Sequence, residues 1–254
     1  MLKTKDNNAT IDTANKERES NMNVEPIAKI YNGYCDKFGI PRQSGLVGSA
    51  VSYIVFEKKF RVSDALRGIE GYSHLWLLWQ FSQSPQGEEF SPTVRPPRLG
   101  GNKRVGVFAT RSPNRPNSIG LSSVKLGGII HSKEHGDVLQ VYGADILSGT
   151  PIIDIKPYVP YADSHPDAVG GFADEFASYA LSVVFEGSSK DAVDASDLDV
   201  LCDILKNDPR PSYQDDAERV YTLDYAKYKV RFRVDGKVLF VVGIDICERE
   251  VFDI

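Results

Sequence analysis

Apolar positions along this chain fall into short runs separated by turn residues, and only one long stretch has helical spacing. Ile27–Tyr31 is a short apolar run, and Leu46–Phe56 is rich in β-branched and aromatic residues, as strands are. Ser63 is placed to cap a short helix reaching Gly68. His74–Phe81 is apolar on both faces and reads as a fully buried strand, with His74, Trp76 and Trp79 in the core. Val105–Thr110, Ile119–Ile130 and Val138–Ile146 continue the series. Strands this close together, with no helical patterns between them, predict an antiparallel sheet or barrel.

The pattern changes after Tyr161. A polar turn follows, and Gly170-Gly171 reads as a hinge. Leu198, Leu201, Ile204 and Leu205 recur at helical spacing behind a cap at Ser196 or Asp194, and Pro209 ends that helix. Val220–Val234 and Lys237–Ile246 read as two strands joined by a type I′ turn at Asp235-Gly236. The expected fold is mainly β. It comprises a polar tail over residues 1–24, an antiparallel β-barrel domain over 25–165 and a small α+β domain over 166–254. Met22 ends the tail, and a start there would leave the rest intact, so no role is assigned to it.

Composition narrows the function classes. Hydrophobic residues make up 41% of the 254 and charged residues 26%, as in ordinary globular proteins. No apolar run approaches the roughly 20 residues that span a bilayer, so no membrane segment is expected. The first residues lack the apolar core of a secretory signal, which points to the cytoplasm. Cys35, Cys202 and Cys247 have neither metal-ligand spacing nor an even count, and they read as free thiols. His131 and His135 flank Glu134 at an expected hairpin tip, and no metal site is expected.

The net charge is -5, which taken alone argues against nucleic acid. Its distribution argues otherwise. Arg95–Arg115 holds six basic residues and no acidic one, whereas Asp163–Glu218 holds fourteen acidic residues against three basic ones. Such a local field captures anions even on an acidic molecule. Within Arg95–Ser122, four prolines and the Gly100-Gly101-Asn102 turn hold Arg95, Arg98, Arg111 and Arg115 on stiff loops, at low ordering cost on binding. No Gly-x-Gly-x-x-Gly or phosphate-loop motif is present, so the usual nucleotide-binding sheets are unsupported.

Arg95–Ser122 resembles the signature of the TsaA-like family of tRNA (adenine-37-N6) methyltransferases. Four further blocks follow the family's order: Gly39–Leu46, Gly68–Leu75, Asp145–Ile152 with Asp154–Tyr158, and Asn207–Tyr213. The resemblance covers about residues 25–250. It implies a barrel that binds S-adenosylmethionine without a Rossmann sheet, a smaller C-terminal domain, and a homodimer whose second copy helps complete the site. The implied reaction is methylation of N6 in N6-threonylcarbamoyladenosine at position 37 of tRNA. The positions matching the family's cofactor contacts are Pro41, Arg42, Gln43, Ser82, Gln83, Arg111, Leu121, Asp145, Ile146, Leu147 and Ser148. The chain departs from the family at Ser82, where the family often has His.

Arg42 and Arg111 suit the carboxylate of the cofactor. Asp145 suits its amine or ribose. Arg95, Arg98 and Arg115 are left for RNA or the second copy. Arg210 and Tyr213 are expected on a loop that touches the anticodon, with Tyr213 stacking on a base. No general base stands out, and Asp145, Tyr213 and Asp208 are the candidates. The alternative function is a non-catalytic module that binds S-adenosylmethionine or RNA.

Overall fold

The computed structural model describes residues 23–83, 90–210, 216–249, 252 and 254. Its first sheet contains β1 (Ala28–Asn32), β2 (Val51–Phe56), β3 (His74–Gln80), β6 (Ile119–Ser132), β7 (Gly136–Tyr142) and β8 (Pro151–Pro157). These pair antiparallel in the order β1-β2-β7-β6-β3-β8, and β8 returns to β1, so the sheet closes into a barrel with no free edge. Ile30, Ile54, Leu75, Leu77, Leu139 and Ile152 fill its interior without solvent exposure. A ribbon of β4 (Thr93–Val94) and β5 (Val105–Gly106) stands beside it.

The second sheet is β10 (Tyr221–Tyr225), β11 (Tyr228–Asp235), β12 (Val238–Ile246) and β9 (Ser182–Phe185), in that order, with β9 parallel to β12 and the other pairs antiparallel. Helix α2 (Ala195–Lys206) packs Val200, Leu201, Ile204 and Leu205 into the same core as Val230, Phe232, Leu239 and Val241. A short helix, α1 (Pro160–Asp163), follows β8.

Several elements differ from the expectations. The strand expected over Leu46–Phe56 begins only at Val51, because residues 45–50 turn, with Gly45 at φ +83° and the Ala50 amide bonded to Val47 O. β3 is not buried on both faces. Leu75, Leu77 and Trp79 point inward, while Trp76 and Leu78 are half-buried outside, as the two-residue period of a barrel wall requires. His74 is exposed, and Trp76 donates its indole N–H to Asp163, 3.0 Å away. The segment Val105–Thr110 is strand for two residues only and then a 3₁₀ turn.

β7 ends at Tyr142. Gly143, at φ +76° and pressed against Gly45, turns the chain so that Asp145 and Ile146 leave the sheet. Val220–Val234 is two strands broken at Ala226, whose amide bonds to Gly33 O. The final hairpin turns on Gly236 and Lys237 with positive φ at Gly236 alone, a type II′ pattern rather than type I′. Neither Ser63 nor Ser196 nor Asp194 caps a helix with its side chain; the Asp194 carboxylate instead accepts Lys227, at 2.6 Å. His131 pairs with Asp137, and His135 packs against Phe252. Among the described residues no His, Cys, Asp or Glu cluster has the arrangement of a metal site, and no helix is long and apolar enough to cross a membrane.

Leu205→Ala removes a side chain with no exposure from the second core and is expected to cost about 2–5 kcal/mol, read as a lower denaturant midpoint.

Candidate functional site: a cavity at one end of the barrel

The same end of the barrel gathers the β1–β2 and β7–β8 connections, the end of β3 and the start of β6. Between them lies a cavity of about 530 Å³, within the range of roughly 300–1,000 Å³ usual for small-molecule sites. Pro41, Arg42, Gln43, Ser82, Gln83, Arg111, Leu121, Asp145 and Leu147 line it, and so does Arg115. Those nine cofactor candidates come from five separate stretches of chain and meet only because the barrel closes. Ile146 and Ser148 do not line it. Ile146 is buried in the barrel core, and Ser148 Oγ accepts from the Asn32 amide at 3.2 Å.

A hydrogen-bonded relay fixes the polar end of the cavity. Trp79 donates its indole N–H to Ser122 Oγ at 2.9 Å, and Ser122 Oγ donates to Asp145 Oδ1 at 2.5 Å. Because the indole occupies an acceptor position of the hydroxyl, the single hydroxyl hydrogen is directed at the carboxylate. Trp79 lies so close over Gly120 that a Cβ there would sit 2.3 Å from the ring, which only glycine permits. Burial pushes the Asp145 carboxyl above its ordinary range, and the hydrogen bonds from Ser122 and backbone amides with the field of Arg111 only partly offset it. Trp79 and Phe81, in edge contact at 4.3 Å, add aromatic faces to the wall.

At the rim, Arg111 donates to Gln43 Oε1 at 2.6 Å and Lys37 to the Gln83 carbonyl at 2.5 Å. Arg115 donates to the Thr110 carbonyl at 2.8 Å, which stiffens its own loop, and Arg95 is exposed.

Other expected site residues are engaged with the protein itself. Arg42, on the cavity wall, donates from one terminal nitrogen of its guanidinium to the carbonyls of Asp208 (3.3 Å) and Arg210 (2.7 Å). Arg98, expected toward RNA or a second copy, is half-buried against the second domain. Its guanidinium lies over the rings of Tyr179 and Phe176 and donates to Asn207 O at 3.4 Å. Arg210 is buried, with Nε 2.9 Å from Asp208 Oδ1, and so is withdrawn from solvent and from RNA. Asp208 is off the cavity wall. Burial alone would raise its carboxyl, but the hydrogen bonds and charge of Arg210, with the Tyr179 hydroxyl, bring it below the ordinary value, which makes it a poor proton acceptor. Tyr213 lies outside the described residues.

Residues 29–164 match the tRNA-methyltransferase O (TrmO) N-terminal domain, and residues 179–246 match the TrmO C-terminal domain. The chain belongs to the TrmO family. A tRNA (adenine(37)-N6)-methyltransferase of Escherichia coli is 39% identical over 223 residues, spanning 85% of this chain and 94% of that protein. A Pseudomonas aeruginosa relative, RcsF, is 41% identical over 199 residues, 75% of this chain and 83% of that one, and its name assigns it provisionally to S-adenosylmethionine-dependent methyl transfer. The crystal structure of TrmO from Pseudomonas aeruginosa superposes with a TM-score of 0.72 at 31% identity, covering 88% of this chain and 96% of that one.

Sequence reasoning overlooked Lys37, Phe81, Thr110 and Pro113 on the wall, and placed Trp79 in the core alone. Trp79 had a local signal, since a glycine opposite a tryptophan in paired strands marks a close approach, but the β3–β6 register that pairs Trp79 with Gly120 emerges only in the fold.

The raised Asp145 carboxyl has a consequence for stability. The folded chain holds that proton more tightly than the unfolded chain, so its contribution to stability is lost as pH rises from the ordinary carboxylate value through the folded one. Asp145→Asn is therefore expected to melt at or above the wild-type temperature at neutral pH, and to lose less stability than the wild type as pH rises above the ordinary carboxylate range. A variant that melts lower at neutral pH would contradict this account.

Proposed function

We propose that this cavity binds S-adenosylmethionine and that the chain methylates N6 of adenosine 37 in tRNA, in its N6-threonylcarbamoyl form. The observation that carries the reading is the meeting of nine matching positions, from five chain segments, around one cavity that also holds a half-buried carboxylate. The names of the relatives support the reaction. On this reading the described barrel is the cofactor-binding domain over residues 25–165, residues 166–254 are the second domain, and residues 1–24 are a tail.

The residues fit the group. The cavity accommodates a molecule of that size. A sulfonium cation is stabilised by an aromatic face and a carboxylate, and Trp79, Phe81 and Asp145 supply these. S-adenosylmethionine supplies, when bound, an activated methyl group. Arg111, braced by Gln43, faces the field of Asp145 and is placed to hold a carboxylate at the rim. Ser122 holds the Asp145 carboxylate in one orientation. The target nitrogen is urea-like and a weak nucleophile, so alignment supplies much of the rate. Its proton must leave. Of the described candidates, Asp145 is on the wall, and its raised affinity for a proton suits that role better than Asp208 does. Arg95 and Arg115 remain as RNA contacts, giving affinity without reading sequence. Such chemistry belongs in the cytoplasm, where tRNA is modified.

Incubation with labelled S-adenosylmethionine should transfer label to tRNA carrying threonylcarbamoyladenosine and not to tRNA lacking it. Cofactor binding without transfer would favour a non-catalytic module. Arg111→Ala, which removes a charge-assisted contact, is expected to raise KM for the cofactor about tenfold to a hundredfold, with little change in melting temperature. A homodimer is part of the same reading. It is supported by the exposed, stacked Phe90 and Phe108 beside the basic loops, which a second copy would cover. A monomer mass by light scattering at micromolar concentration would remove that part.

A further inference from the structure

Three arginines converge on the turn that follows α2. Arg98 donates to Asn207 O, and Arg42 to the carbonyls of Asp208 and Arg210. Arg210 folds back on the turn itself, with Nε 2.9 Å from Asp208 Oδ1 and a terminal nitrogen 3.1 Å from Oδ2. Tyr179 adds its hydroxyl to Asp208 Oδ2 at 2.9 Å. Asp208 has φ +50°, an uncommon conformation for a residue with a side chain. It is tolerated here because the fork of Arg210 fixes the carboxylate, and that conformation aims the two carbonyls at Arg42.

Both ions of this pair are buried, each side chain 7% exposed. Burying a charge pair is costly, and as a source of stability it is no better than an apolar pair of similar volume. Its value is geometric. Arg42 sits between Pro41 and Gln43, and all three line the cavity. Gln43 in turn braces Arg111 across the rim. A second cavity, of about 490 Å³, lies on the other side of Lys37–Arg42 and is bounded by Asn207, Asp208 and Pro209. Phe38 and Ile40 anchor the start of this segment on the second core, and Arg42 anchors its end on the turn, between two open spaces.

We propose that Asp208 and Arg210 are positioning residues: they shape the turn after α2 into an acceptor for Arg42 and thereby hold the Pro41–Gln43 wall of the cofactor cavity in place. The second sheet and its helix thus set the geometry of a cavity otherwise built by the barrel. This rests on the reading of that cavity as the S-adenosylmethionine site.

The test measures S-adenosylmethionine binding by calorimetry, without tRNA, for the wild type, Asp208→Asn, Arg42→Lys and the double variant. Amide hydrogen exchange is followed on the same proteins without ligand. Asp208→Asn is expected to weaken binding about tenfold and to speed exchange at residues 40–44 while protection in α2 and β11 is unchanged. Arg42→Lys should do the same, and the double variant should be no worse than either single. Tyr179→Phe, which removes one of the hydrogen bonds to Asp208, is the milder substitute if Asp208→Asn does not fold, with the same changes in smaller measure. Unchanged affinity and exchange in the single variants would overturn the proposal. So would additive losses in the double variant, or a loss of protection spread through α2. Absence of binding by the wild-type protein would instead refute the cofactor reading, while local exchange at residues 40–44 would still report whether the turn holds the wall.

Discussion

The site depends on how the chain between β1 and β2 is held. Residues 33–50 leave the barrel and pack into the other core, where Tyr34, Val47 and Ala50 are buried with Leu223, Tyr225 and Phe232. Gly33 lies flat against Tyr225, where a Cβ would be 2.6 Å from the ring, and its carbonyl takes the Ala226 amide at 2.7 Å. Burial pushes the hydroxyls of Tyr34 and Tyr225 far up, so both remain neutral at physiological pH and act as packing groups. This seam carries Pro41–Gln43 to the cavity. The seam is therefore both the junction of the two sheets and one wall of the site.

Two aspartates show how environment divides roles between identical side chains. Asp145 and Asp208 are both withdrawn from water, and burial opposes ionisation in each. Asp208 is matched by the guanidinium of Arg210 and becomes a firmly ionised part of a strut. Asp145 has a neutral hydroxyl as its nearest donor and a more distant arginine, so its proton affinity rises. The first arrangement serves geometry. The second leaves a carboxylate on a cavity wall with attraction for a cation or a proton. A carboxylate only partly compensated on a cavity wall contributes little to stability, and groups of this kind cluster at functional sites.

Much of this organisation was legible along the chain. The runs at β1, β3, β6 and β12 are bounded by turn residues, and α2 shows its apolar stripe at Leu201, Ile204 and Leu205. The basic stretch Arg95–Ser122 was visible as a charge anomaly, and Arg111 and Leu121 do reach the cavity. Less legible were the breaks. Leu46–Ala50 and Val107–Ala109 have strand-like composition but turn: the first follows Gly45 at positive φ, bonded to Gly143 O, and the second starts from the Val107 amide bonded to Pro92 O, so tertiary hydrogen bonds won over β-propensity.

The sequence by itself determined the types of the main strands and of α2, the absence of a glycine-rich nucleotide loop, and the motif blocks that place the chain in its family. Those properties are local: periodicity, turn chemistry and residue order are carried by neighbouring residues. The tertiary structure decided which charges are available. Arg42, Arg98, Arg111 and Arg210 are equivalent in sequence, yet Arg111 lies at the rim, Arg42 and Arg98 are tied to the turn after α2, and Arg210 is buried in an ion pair. The fate of a charge is set by the dielectric and the partners around it, and those partners stand up to 168 positions away along the chain.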